Sequence, residues 1–301
     1  MARTFEDLLR ERDVVILDGA VGTELERRGV PLPLPVWTGD VAVRAPEVLR
    51  GIYLDYLRAG VDLVTACTWR TQPYVLRAVG FEGHAAALTR RAVDIAREAC
   101  ATAGHGLVAG SMGPLEDCYH PERVPAGDVL RREHAAHARL VADAGVDLIM
   151  LETLNTSREA HAAAEAALAT GLPVLVSLIL DPVRGDVLSG EDLEVVSAHL
   201  RALEVEGRRL GGFLVNCAPP ATITAALARL EVPRDPRPTG AYANLGSEDG
   251  KGGWRPDTQT PPEAYGDWAR EWRALGARLI GGCCGSTPEH LAAVSRALRA
   301  G

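Results

Sequence analysis

The chain lacks any run of basic residues. Its 301 residues hold 32 Lys and Arg against 40 Asp and Glu, a net charge of −8. Nucleic-acid binding needs clustered positive charge, so no nucleic-acid partner is expected. The chain also lacks an apolar stretch of the roughly 18 to 20 residues that a membrane span requires. Its first residues, Met1-Ala-Arg-Thr-Phe-Glu-Asp7, mix charges and have no apolar signal core. Together these absences predict a soluble, cytoplasmic protein with no membrane partner. Six cysteines in a chain this long do not make a secreted scaffold built on disulfides. None of them forms a CxxC pair, the usual unit of a closed structural zinc site.

What is present points to a large α/β core. Hydrophobic residues make up 47 % and charged residues 24 %, which excludes a mainly disordered chain. Short apolar, β-branched runs recur with helical stretches between them, at 14–17, 61–67, 106–110, 146–151, 173–178, 212–217, 239–244 and 277–282. Strands of this kind fit a parallel sheet covered on both faces. Gly60, Gly145 and Gly276 stand just past helical stretches, where a left-handed cap is common. Eight such units predict a single-domain (β/α)8 barrel over residues 1–301. The alternative, an open doubly wound sheet, usually carries a phosphate loop after its first strand. Here Asp18-Gly-Ala-Val-Gly-Thr23 follows that strand and lacks the GxGxxG spacing. Two long polar connections, 115–127 and 246–262, follow strands and so belong on the C-terminal rim, where barrel enzymes keep their sites. Within the second, residues 246–253 look superficially like a phosphate loop, but no Ser or Thr follows Lys251.

Cys217 closes the sixth strand, and Cys283 and Cys284 close the eighth. On one rim these side chains can converge. Adjacent residues of a regular strand face opposite ways, so Cys283 and Cys284 share a side only if the backbone leaves the ladder there. Gly281, Gly282 and Gly285 allow that. Three thiolates suit Zn²⁺ and leave a fourth position open, the pattern of a catalytic site. Spacing alone also admits buried thiols without metal, or a vicinal disulfide. Cys67, Cys100 and Cys118 read as packing residues. His134 and His137 are spaced i, i+3 on a helix with no third ligand nearby, so a solvent-facing position is expected. His290 reads as local capping or packing.

The motif Gly281-Gly-Cys-Cys-Gly-Ser-Thr-Pro-Glu-His290 resembles the zinc signature of the homocysteine S-methyltransferase family. Val215-Asn-Cys-Ala-Pro-Pro220 resembles the segment with that family's first zinc cysteine. Leu17-Asp-Gly-Ala-Val-Gly-Thr23 resembles its DGAxGT element. Segments 59–65, 110–114 and 147–153 follow in the family's order, so the resemblance covers nearly the whole chain. It implies a zinc-dependent barrel that methylates homocysteine, with Cys217, Cys283 and Cys284 as ligands. It also implies that Asp18 and Glu152 hold the substrate ammonium and that the Gly19 and Ala20 amides receive its carboxylate. Read without the resemblance, Asp18 could instead cap a turn and Glu152 pair with an arginine. Asn244 matches an asparagine near the zinc in some relatives, although Ala243 stands where they often have proline. Trp37 matches a donor-side tryptophan of the betaine enzyme. Thr65 and Thr68 are expected to line the pocket.

The chemistry implied is attack by a thiolate, the reactive form of a thiol whose ordinary pKa is about 8.5. Three cysteine thiolates and Zn²⁺ carry a net charge of −1, which keeps a bound substrate sulfur electron-rich. The expected reaction is in-line displacement on a methyl group of a sulfonium or ammonium donor, giving methionine. S-methylmethionine, S-adenosylmethionine and betaine-like compounds are the candidate donors, and a related thiol or selenol fits as acceptor. Two other readings stand: a homocysteine- and zinc-binding subunit of a split corrinoid-dependent methionine synthase, and a non-catalytic zinc-binding barrel.

Overall fold

The structure is a computed structural model that describes residues 3–230, 236–248, 254–256 and 260–299. All eight expected strands form: β1 (Val15–Ile16), β2 (Leu63–Ala66), β3 (Leu107–Met112), β4 (Leu148–Leu154), β5 (Val174–Ile179), β6 (Gly212–Asn216), β7 (Thr239–Ala243) and β8 (Leu279–Gly282). Each of β2 to β7 pairs in parallel with the next, and β8 pairs with β1. A parallel bridge between Leu17 and Leu63 closes the ring. The chain is a (β/α)8 barrel.

Strand periodicity sorts the core into two parts. Val15, Leu17, Leu63, Leu107, Ala109, Leu148, Met150, Leu175, Leu214, Tyr242 and Leu279 form one buried cluster, the barrel interior. The alternate residues, among them Ile16, Val64, Val108, Ile149, Val176, Phe213, Val215 and Ile280, join the cluster under the helices. Both faces of every strand are therefore apolar, and each fully buried aliphatic side chain contributes about 1.5–3 kcal/mol. Helix Phe5–Glu11 starts on a Thr4–Asp7 capping box and adds Phe5 and Leu8 to the interior cluster, plugging the N-terminal mouth. Access is thus left to the C-terminal rim. Gly60, Gly145 and Gly276 take φ of 94°, 84° and 96° just past their helices, as the left-handed cap requires.

One expectation is corrected. His134 and His137 do not face solvent; both are fully buried. They lie on the same stripe of helix Gly127–Asp143 as Leu130, Ala138 and Val141. His134 Nε2 lies 3.1 Å from Glu159 Oε1 on the following helix, Ser157–Leu168, a partner supplied from 25 residues away. His290 is the local cap expected: its Nδ1 lies 2.9 Å from Thr287 Oγ1 and its Nε2 3.1 Å from Thr260 O. In the connection after β7, Gly246–Glu248 pairs antiparallel with Trp254–Pro256. Residues 249–253, most of the phosphate-loop-like stretch, lie outside the described residues. Among the described residues no helix is long and apolar enough to cross a membrane.

Candidate active site

Along the strands, the inward positions above the apolar layer turn polar: Thr65, Ser111, Glu152, Ser177, Asn216 and Cys283. Thr65, Ser111, Glu152 and Cys283 line a cavity together with Asp18, Gly19, Ala20, Trp37, Trp69, Tyr242 and Cys284.

Asp18 follows β1 and is held at both oxygens. Oδ2 accepts from the Thr65 amide at 2.7 Å and Oδ1 from Thr65 Oγ1 at 2.8 Å. Burial pushes its pKa up to about 7, against the opposing pull of the Thr65 hydrogen bonds. Glu152, inward on β4, accepts from Ser111 Oγ at 2.5 Å. Burial raises it to about 7 as well; Ser111 opposes the rise and Asp18 adds to it. The Tyr242 hydroxyl is buried beside Glu152 and Ser177. Neither Arg, Lys nor His occurs among the described residues of the lining. The result is a buried acidic wall whose negative charge is suppressed until a cation arrives.

The sulfur atoms of Cys217, Cys283 and Cys284 lie within 4.8 Å of one another. Cys283 continues the inward parity of β8. Cys284 joins it because the ladder stops at Gly282: a turn closes with Ser286 N donating to Cys283 O at 3.0 Å, and Gly285 takes φ of 80° within it. The two preceding glycines are needed for close packing. A Cβ on Gly282 would strike the Ser286 side chain, and one on Gly281 would come within 2.7 Å of Leu17 Cβ. Cys217 reaches the cluster differently. Asn216 points inward, so a regular strand would turn Cys217 outward; instead Cys217 takes φ of 55°. Of the four non-glycine residues with positive φ among the described residues, Trp37, Thr153 and Cys217 are at this site, so the backbone strain of about 1–3 kcal/mol per residue is concentrated here. Asn244 Nδ2 donates to Cys217 O at 3.1 Å and supports that strained unit. Asn216 accepts from Ser177 Oγ and donates to Thr153 Oγ1, both at 2.8 Å, and its Nδ2 lies 3.9 Å from Cys283 Sγ.

As thiols, the cluster favours one ionised sulfur. Hydrogen bonds from Cys283 and Cys284 hold Cys217 well below the ordinary thiol range, and those same bonds push Cys283 and Cys284 well above it. Ionising all three calls for a bound cation.

Of the residues singled out in the sequence, Asp18, Gly19, Ala20, Trp37, Thr65, Glu152, Cys283 and Cys284 share one cavity. Cys217 and Asn244 are buried behind its wall. The Ala20 amide already donates to Ser286 Oγ at 3.2 Å. Trp37 packs over Gly22, where a Cβ would lie 2.5 Å from its ring, and meets Trp69 edge-on at 6.0 Å between centroids. Thr68 turns away, donating to Ser111 O at 2.7 Å. Cys67 is buried against Thr38 O. Ser111, Asn216 and Ser286 were not singled out in the sequence, although inward parity pointed to the first two. Tyr119, whose hydroxyl lies 3.3 Å from Cys217 Sγ, was missed as well; only its place in a long rim loop hinted at it.

A barrel whose open rim joins three clustered thiols to two buried carboxylates defines an enzyme-like site able to hold a metal ion beside a cationic ligand. The profile of the homocysteine S-methyltransferase family matches residues 15–298, and the chain belongs to that family of methyltransferases. It is 32 % identical to homocysteine S-methyltransferase of Escherichia coli (strain K12), over 95 % of this chain and 96 % of that one. It is 26 % identical to selenocysteine methyltransferase of Astragalus bisulcatus, over 95 % and 93 %. The crystal structure of the homocysteine methyltransferase MmuM from Escherichia coli in its metallated form matches with a TM-score of 0.81 at 32 % identity, over 95 % of this chain and 97 % of that one.

Proposed function

We propose that the chain transfers a methyl group from a small sulfonium or ammonium donor to the thiolate of homocysteine, giving methionine, with zinc held by Cys217, Cys283 and Cys284. The observation that carries this reading is the meeting of two buried acids with Cys283 and Cys284 at one cavity, their sulfurs and that of Cys217 lying within 4.8 Å of one another. The donor set fits zinc: three soft ligands, with no fourth His, Cys, Asp or Glu joining them among the described residues. Zinc, when bound, would supply the positive charge that keeps a substrate thiol ionised near neutral pH.

The chain's own residues do the positioning. Asp18 and Glu152 receive the substrate ammonium, which supplies the cation their burial calls for. The Gly19 amide, and the Ala20 amide once Ser286 releases it, receive the carboxylate. Trp37 and Trp69 offer aromatic surface to the donor's positive centre. Asn244 holds the Cys217 backbone. The substrate sulfur attacks the methyl carbon in line. A new S–C bond forms as the donor's S–C or N–C bond breaks, and the electron pair leaves with the donor as a neutral thioether or amine. No proton moves in that step, so the two acids serve as binding groups and not as bases.

A donor screen tests the proposal. Purified chain with its zinc content measured is incubated with homocysteine and, separately, S-methylmethionine, S-adenosylmethionine, betaine or a dimethylsulfonium compound, and methionine is counted against donor lost. One-for-one transfer from a free donor is expected. Transfer only after a methylated corrinoid protein is added would replace this reading with the split-synthase one. Zinc binding with no transfer under either condition would leave a non-catalytic barrel. Parallel reactions with selenocysteine test the acceptor that the Astragalus bisulcatus relative's name carries.

A further inference from the structure

The connection after β3 brings one more polar group to the sulfurs. Tyr119 Oη lies 3.3 Å from Cys217 Sγ. The loop is tied down on several sides. Gln72 Nε2 donates to Pro114 O at 3.1 Å, and the Leu115 amide donates to Glu159 Oε1 at 2.8 Å. The Arg70 guanidinium donates to Leu115 O and Glu116 O, and Asn155 Nδ2 donates to Cys118 O at 3.0 Å. Tyr119's own amide donates to Asp117 Oδ1 at 3.0 Å. The hydroxyl therefore arrives on a fixed frame.

Between a phenol and a thiol either group can donate. A thiolate has no proton to give, so against an ionised Cys217 the phenol is the donor. Cys217 also has the greater need of support, since its backbone stands at φ of 55°, outside the strand geometry that fixes Cys283.

We propose that Tyr119 is a positioning residue for the cysteine cluster: its O–H donates to the Cys217 thiolate, fixes the direction of that sulfur and draws charge from it. The β3 loop thereby sets how firmly a metal is held. This rests on the reading of the three cysteines as metal ligands, and the test separates the two ideas.

Tyr119→Phe keeps the ring and removes the donor. Zinc affinity is measured on full-length protein by competition with a chromophoric chelator, and cobalt(II)-loaded protein gives the thiolate-to-metal charge-transfer band. Loss of a partner to a metal ligand typically costs 10- to 100-fold in affinity, so zinc binding about tenfold weaker is expected. The cobalt band is expected at lower energy, because a thiolate without its hydrogen bond gives up an electron more readily. The band position decides. A moved band supports the proposal. A weaker affinity with an unmoved band means that the residue only packs, and overturns it, as does a variant equal to the parent in both measurements. A parent protein that binds neither zinc nor cobalt overturns the ligand reading itself, before any variant is compared.

Discussion

On one side of the cavity, both oxygens of Asp18 accept hydrogen bonds from Thr65, and Glu152 accepts one from Ser111. On the other, three sulfurs are brought together by a turn and a strained backbone, and their hydrogen bonds run largely among themselves. The acidic wall is wired by neighbours within the barrel, so its geometry is complete without a ligand. The sulfur wall is assembled by the chain's path and depends more on what it binds. Yet both walls share one electrical condition. Burial suppresses negative charge on both acids, and hydrogen bonding suppresses it on Cys283 and Cys284, so full ionisation of either wall calls for a cation: a hard ammonium for the carboxylates, a soft metal for the thiols. A ligand with an ammonium at one end and a thiol at the other would meet the acids directly and the sulfur wall through a metal held there.

If the walls are separate in this way, the largest effect comes from the sulfurs. Cys217→Ser, Cys283→Ser and Cys284→Ser are each expected to lose bound zinc and to slow methyl transfer on the order of a thousandfold, the scale of a lost metal contribution. Elemental analysis and turnover on the same sample check both. A zinc-free Cys284→Ala protein with full activity would remove the sulfur wall from the chemistry altogether.

Asp18→Asn attacks the other wall. It keeps the shape and removes the charge, so kcat/KM for homocysteine should fall about 10- to 100-fold, the cost of one charge-assisted bond of about 1.5–3 kcal/mol. Zinc content should stay at the parent level. Loss of zinc in this variant would show the two walls to be one unit. The same wall predicts a pH dependence. Asp18 and Glu152 sit at about 7, so both lose their charge as pH falls from 8 to 6, and homocysteine binding should weaken over that window. For the free fold the sign is opposite. With the folded pKa above its ordinary value of 3.8, Asp18 binds its proton more tightly when folded, so its contribution to stability declines as pH rises from about 4 to 7. A homocysteine titration at pH 6, 7 and 8, repeated on Asp18→Asn, should show the slope shrink in the variant.

The same contrast explains what the sequence made legible. Barrel strands buried on both faces write themselves as short apolar runs, and Gly60, Gly145 and Gly276 mark helix ends by a backbone need that few other residues meet. Residues at strand ends, such as Asp18, Glu152 and Cys283, inherit their place from that pattern. Three things did not. His134 and His137 were expected outside because no third metal ligand lies near them in sequence; the stripe with Leu130 and Val141 puts them inside, and the partner of His134, Glu159, lies on another helix. Cys217 turns inward through a positive φ that no strand rule predicts. Tyr119 owes its position to Arg70, Asn155 and Glu159, anchors between 36 and 49 residues away that become neighbours only once the barrel closes.

The smallest expected effect is the most selective. Thr65→Val keeps size and branching and deletes only the 2.8 Å hydroxyl bond to Asp18 Oδ1; the 2.7 Å bond from the Thr65 amide survives. With Asp18 near 7 and so only partly charged at neutrality, the hydroxyl bond counts as an ordinary one, and its loss is worth about 1 kcal/mol, or roughly fivefold. The loss should appear in KM for homocysteine, with kcat and zinc content unchanged, because the Thr65 hydroxyl bonds to Asp18 and not to the sulfurs. Its size should also depend on pH. The hydroxyl bond restrains the rise of the Asp18 pKa, so without it Asp18 rises further above 7 and a larger fraction is uncharged near neutrality. The variant should therefore bind homocysteine worse relative to the parent at pH 6.5 than at pH 8.5. A pH-independent ratio would mean that Thr65 only shapes the wall, and a fall in kcat would mean that the acidic wall reaches into the transfer step itself.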